Sequence, residues 1–205
     1  MIAAGDTSSK RRILDAAETL FAERGIDAVS LRAVMSAAGT NVAAVHYHFG
    51  SKDALVTALI AERSHEISAR RAVLLDALEQ AEQFTARELA SAFVVPVVET
   101  TQAGGEAWVR FVATLINSTH PAMSQVTQGF FEQGRRFIAL TERLHPDWPS
   151  ARLVFRLSQA MTATFNVLGD IPGVQRTVAV TNTELSRADV VEQLLDWIAA
   201  TLTDG

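Results

Sequence analysis

The sequence contains no cysteine. That absence excludes a disulfide framework, a thiolate zinc site, an iron–sulfur cluster and a cysteine nucleophile. Long apolar runs are missing too: the longest candidate, Ala92 to Val98, is broken by Pro96 and falls far short of the ~20 residues a membrane-spanning helix needs. The opening residues Gly5, Asp6, Thr7, Ser8, Ser9 and Lys10 are polar and lack the apolar centre of a signal peptide, so a soluble, cytoplasmic protein with no membrane partner is expected. Proline (5) and glycine (11) are scarce in 205 residues, and strand-like alternation is rare. With 48% apolar and 20% charged residues, the chain has the balance of a globular protein of one or two domains, not of a disordered one.

Apolar residues recur at spacings of three and four along the chain, which predicts an all-α fold. A first helix runs from about Ser9 to Arg24, with Ile13, Ala17, Leu20 and Phe21 on one face and Gly25 placed to end it. Lys10, Arg11 and Arg12 in its first turn fit a solvated charge run and a phosphate-facing arm about equally. A short second helix follows from the capping Ser30 to about Ala38, and Gly39 allows a sharp turn. A third opens at Asn41 and runs to about His48, before Phe49 and Gly50 close it. Two helices of roughly eight residues joined by a glycine-containing turn make a helix-turn-helix, the arrangement that lays its second helix in a DNA major groove. The next helix begins at Ser51, with Asp53 in its first turn, and extends to about Glu79.

The formal net charge of −5 argues against nucleic acid binding over the whole surface. Residues 1–55 hold six basic and six acidic side chains, so the acidic excess lies entirely beyond them and leaves the first quarter of the chain free to approach a polyanion.

Further helices are expected at about Thr85 to Gln102, Glu106 to Ser118, Pro121 to Leu144, Ser150 to Leu168 and Ala188 to Leu202. The stretch from Ser150 to Leu168 is apolar around most of its circumference and needs cover on more than one side. The last helix, opened by Ser186 with Asp189 in a capping box, carries Val190, Leu194, Trp197 and Ile198. Two such helices predict a homodimer joined through the last two helices, with burial in one large core as the competing explanation.

The run from Ser30 to Leu55 resembles the DNA-binding motif of the tetracycline-repressor (TetR/AcrR) family of bacterial transcriptional regulators. The likeness combines Leu20-Phe21-Ala22-Glu23-Arg24-Gly25 at the end of the preceding helix, the Ala38-Gly39 turn, Tyr47-His48-Phe49, and Ser51-Lys52 opening the next helix. It implies an N-terminal three-helix DNA-binding domain (residues 1–53) and a larger helical ligand-binding and dimerisation domain (54–205). It also implies that Ser30, Tyr47 and Lys52 meet phosphates, and that Arg32, Asn41, Val42, Ala44 and His46 face the groove. Arg32 suits a guanine, Asn41 an adenine, and Val42 or Ala44 a thymine methyl. Thr40-Asn41 replaces the commoner valine and serine of the turn, and His46 stands where tyrosine is frequent. For Tyr47 a ring packed under the helix competes with DNA contact.

The segment around Asn41 to Lys52 and the later Ser118-Thr119-His120-Pro121 are most similar to the branch that responds to fatty acids or their thioesters, which implies a small hydrophobic inducer such as a fatty acid or acyl-CoA. Trp108, Phe111, Leu115, Phe130, Met161 and Phe165 have helical spacing suited to an apolar cavity, although packing in the core explains any one of them as well. Arg110 and His120 suit an acidic head, and an ion pair of Arg110 with Glu106 or a helix-end role competes. No cofactor is implied.

An enzyme reading starts from Glu62-x-x-His65 and Glu142-x-x-His145, two halves of a carboxylate-bridged di-iron site. Against it, His145 precedes Pro146 at a helix end. His46 and His48 point some 200° apart on a helix and make no metal pair. No nucleophile elbow, phosphate loop or zinc-protease helix occurs, so the other enzyme readings have no anchor, and the function that the resemblance implies is a non-enzymatic, DNA-binding repressor. A helical adaptor that keeps the motif without binding DNA is the remaining alternative.

Overall fold

In the computed structural model of the chain the described residues are 4–40, 47–118, 120, 121 and 123–203, with side chains described for 9–40, 47–118, 120, 121 and 133–203. Among them are nine helices and no strand: α1 (Ala4–Arg24), α2 (Leu31–Ala38), α3 (Lys52–Gln80), α4 (Ala86–Gln102), α5 (Glu106–Ile116), α6 (Met123–Leu144), α7 (Ser150–Gly169), α8 (Ile171–Ala179) and α9 (Arg187–Thr201). None of the described helices is long and apolar enough to cross a membrane.

Local chemistry sets the helix ends. Gly25 takes φ +76° and its N–H closes α1 on the Phe21 carbonyl at 3.0 Å. Thr85 and Glu88 form a reciprocal capping box at α4, and Ser186 and Asp189 form the one expected at α9. The bonds from Thr85 and Ser186 hold the Glu88 and Asp189 carboxyls below their ordinary range.

One helix was not expected. Residues 171–179 form α8, because the Asp170 carboxylate accepts from the Gly173 N–H at 3.0 Å and Pro172 lies in the first turn, where its missing donor costs nothing. The two apolar helices expected to be consecutive, α7 and α9, are therefore separated by a short helix.

α3 runs without a break across the expected 53/54 boundary and packs on α1 as well as on α4 and α6. Phe21 of α1 packs on Phe111 of α5 with ring centroids 5.9 Å apart, and Phe111 meets Trp108 at 5.5 Å. Alongside this aromatic seam, Arg63 of α3 donates to Glu18 at 2.7 Å and Asp15 at 2.8 Å on α1. Burial pushes the Glu18 carboxyl up, and the Arg63 guanidinium pulls against that shift. Ile13, Phe21 and Val34 of the N-terminal unit thus share one continuous apolar core with Phe93, Leu115 and Phe165.

Candidate nucleic-acid interface

Ser30 is the N-cap of α2: its Oγ accepts from the Ala33 N–H at 3.1 Å. Val34, Met35 and Ala38 bury one face of α2, leaving Arg32 exposed on the other. Gly39 then takes φ +62°, a left-handed conformation that side chains with a Cβ rarely adopt, and its N–H returns to Ser36 at 3.3 Å. The chain therefore turns sharply where a helix-turn-helix must. Asn41, Val42, Ala44 and His46 lie outside the described residues.

Tyr47 is 77% exposed. Its ring is open to solvent, not packed underneath. Tyr47 meets His48 edge-on, whereas Phe49 turns inward against the core and anchors the segment. Ser51 caps α3 by accepting from the Ala54 N–H at 3.1 Å, and the Lys52 ammonium lies 3.4 Å from the Asp27 carbonyl. That link ties the start of α3 to the α1–α2 connection and leaves the Lys52 ammonium further donors for a phosphate. Lys10 and Arg11 approach Glu62 and Asp15 at 3.7 and 3.6 Å in exposed pairs that contribute little to stability.

The residues expected around an inducer are distributed differently. Trp108, Phe111, Leu115, Met161 and Phe165 are all buried in the shared core, and Phe111 faces α1 across the seam. The Phe130 side chain lies outside those described. Arg110 is exposed and donates to the Gly169 carbonyl at 3.2 Å, while Glu106 approaches Arg187 instead. His120 is largely enclosed and its Nε2 lies 3.9 Å from Asp53 in the first turn of α3. Sequence spacing carried no trace of Asp53 as a neighbour of His120, nor of the Arg63–Glu18 pair, because both join distant parts of the chain.

α7 and α9 carry exposed Phe155 (64%) and Trp197 (50%). Trp197 lines two shallow grooves, one shared with Ala163, Val167 and Leu194 and the other with Phe155, Gln159 and Ala200. The Glu-x-x-His pairs do not form a metal site: the His145 ring stacks on Trp148, with its Nε2 2.7 Å from the Leu202 carbonyl, while Glu62, His65 and Glu142 are exposed. Among the described residues no group of three or more His, Asp or Glu could hold a metal ion.

The pattern of the bacterial regulatory proteins of the tetR family matches residues 13–59, and that of the tetracyclin repressor-like C-terminal domain matches residues 91–201, more than half of the chain. The chain belongs to the TetR family. A stretch of the chain is similar to the HTH-type transcriptional repressor KstR2 of Rhodococcus jostii, 44% identical over 61 residues, and one to the HTH-type transcriptional repressor AcnR of Corynebacterium glutamicum, 40% identical over 63. These stretches cover 28% and 30% of this chain and 30% and 34% of those proteins, so the likeness spans about a third of each TetR relative. The whole fold is similar to that of NalD, the secondary repressor of the MexAB-OprM multidrug efflux pump in Pseudomonas aeruginosa, with 22% identity, a TM-score of 0.62, and coverage of 97% of this chain and 98% of NalD. A gamma-butyrolactone receptor (ArpA-like protein) has the same fold at 15% identity and a TM-score of 0.55, covering 98% of each chain.

Proposed function

We propose that this TetR-family chain is a transcriptional repressor that binds operator DNA as a homodimer and is released by a small hydrophobic inducer. The observation that carries the reading is the exposed Tyr47 beside the anchored Phe49, one short turn from Lys52 at the capped start of α3. A solvated tyrosine next to a lysine at that point of a helix-turn-helix suits paired phosphate contacts. Ser30, Tyr47 and Lys52 then hold the backbone, and Arg32, Asn41, Val42, Ala44 and His46 meet the bases. Such a protein works on the chromosome, in the cytoplasm, and performs no catalysis.

Two half-sites need two motifs. The exposed Phe155 and Trp197 on α7 and α9 support a two-fold interface there, since large apolar side chains at half exposure gain from a second copy's cover. The inducer's tail belongs among Trp108, Phe111, Leu115, Phe130, Met161 and Phe165, with Arg110 or His120 available to a polar head. A fatty acid or its thioester fits that apolar lining. The ligand acts by preferring a dimer whose motifs no longer match half-sites one helical turn apart, and Phe111 gives it a direct path to α1.

Fluorescence anisotropy with the promoter fragment of the protein's own gene, against a scrambled fragment over a salt series, tests the reading. Preferential, salt-sensitive binding is the expected result. Equal or absent binding to both would leave the helical adaptor as the better account.

A further inference from the structure

Trp108 sits in the first turn of α5, is 2% exposed, and among the described residues its Nε1 is the one buried side-chain nitrogen or oxygen with no hydrogen-bond partner. An interior N–H without an acceptor is costly, and a phenylalanine would occupy the same aromatic site without that cost. The indole N–H is therefore a donor available to an acceptor on a ligand. Its surroundings limit what that is. Phe111 lies against it, with Phe21 of α1 beyond, and the Arg110 side chain, two residues on and so about 200° round the helix, is exposed and directs its Nε to the Gly169 carbonyl. A carboxylate brought against the indole would shed its water for a single neutral donor, and an ammonium would bring no lone pair. A neutral carbonyl oxygen needs only the one donor offered.

We propose that Trp108 Nε1 is the polar contact that orients the inducer, and that the inducer is an apolar molecule bearing a neutral carbonyl, as in a ketone, ester, lactone or thioester. This rests on the reading of the chain as a ligand-responsive regulator and narrows it: the recognised group is uncharged, which disfavours a free fatty acid. It also gives the ligand its leverage. Trp108 is buried and lies against the Phe111 ring on which Phe21 of α1 packs, so a molecule that reaches it binds best where the Phe21–Phe111 contact has loosened.

The test uses nuclear magnetic resonance of the indole N–H groups in the whole 205-residue chain, which has three tryptophans. The Trp108 signal is identified by its loss in Trp108→Phe. Three probes share one chain length: 2-dodecanone, dodecane and dodecanoate. The expected result is a downfield shift of the Trp108 N–H with the ketone and none with dodecane or dodecanoate, together with about tenfold weaker ketone binding to Trp108→Phe in calorimetric titration, the loss of one hydrogen bond. A Trp108 signal unmoved by the ketone, or moved equally by dodecane, overturns the inference. So does a strong cross-peak from this N–H to a resident water in the free protein, because the donor is then already satisfied. Operator binding, measured separately by anisotropy, distinguishes the two failures: retained binding with an unresponsive Trp108 removes this inference alone, whereas absent binding removes the regulator reading.

Discussion

Arg71 donates to the carbonyl that Pro96 leaves without a helical partner. Proline has no N–H, so the Ala92 oxygen four residues earlier loses its donor within α4, and the buried Arg71 Nε supplies one from α3 at 3.2 Å. The same guanidinium reaches the Phe93 carbonyl at 3.3 Å. Burial pulls the Arg71 side chain down to about 10, which still leaves it charged at neutral pH.

Arg71→Met should accordingly destabilise the fold by about 1–3 kcal/mol, because the Ala92 carbonyl is then left without a donor. Pro96→Ala restores an N–H to α4 and should relieve the loss at Ala92, so the two substitutions should deviate from additivity by more than about 0.5 kcal/mol in denaturant titrations. Strict additivity would mean that Arg71 does not serve the carbonyl freed by Pro96.

This pair also marks where sequence reading stops. An arginine in the middle of a long helix reads as solvated, and only its place opposite Pro96 in space gives it a task. Ser30, Gly39, Ser51 and the Ser186–Asp189 box were legible because each acts on its own neighbours in the chain, through a cap or a left-handed turn. α8 was missed because its glycine, proline and β-branched residues resemble a loop and it buries only Ile171 among its residues. The signal was present as an Asp cap with proline two residues on. The roles of Arg110 and His120 were illegible, because their neighbours Gly169 and Asp53 are distant in sequence.

The two capping boxes set a pH dependence. Glu88 and Asp189 titrate below their ordinary values of 4.5 and 3.8, so each contributes stability that is present above those values and lost as the pH falls through the lower folded-state values. Glu18 has the opposite sign, since its raised folded value makes protonation relieve the cost of burying charge. Melting temperatures between about pH 3 and 7 should fall on the acid side, and Glu88→Gln with Asp189→Asn should flatten that limb. Parallel curves for variant and parent would separate the caps from acid sensitivity.

Trp197→Glu tests the two-fold interface. Trp197 is half exposed in the single chain, so a carboxylate there should leave the monomer's fold intact while placing a charge where the partner would cover it. Light scattering at micromolar concentration should give a dimer for the parent and a monomer for the variant, with operator affinity falling in step. A variant that remains dimeric moves the interface away from α7 and α9.

Tyr47→Phe removes only a hydroxyl from a side chain that is 77% exposed, so stability should stay within about 0.5 kcal/mol. Operator affinity should nevertheless fall for every sequence alike, the signature of a phosphate contact. Unchanged affinity would return Tyr47 to the solvent.

Lys52→Ala and Arg32→Ala should differ in kind. The Lys52 ammonium lies beside the Asp27 carbonyl at the capped start of α3, a position suited to the sugar–phosphate backbone, whereas Arg32 extends from the open face of α2. Loss of the lysine should weaken specific and scrambled fragments equally and reduce the salt slope by about one unit, while loss of the arginine should cost ~1–3 kcal/mol on the operator and relax preference at one base pair. The discriminating measurement is a set of operator variants titrated at two salt concentrations. If Arg32→Ala lowers affinity without changing the ranking of those variants, Arg32 contacts the backbone, and base reading falls to the segment between Asn41 and His46.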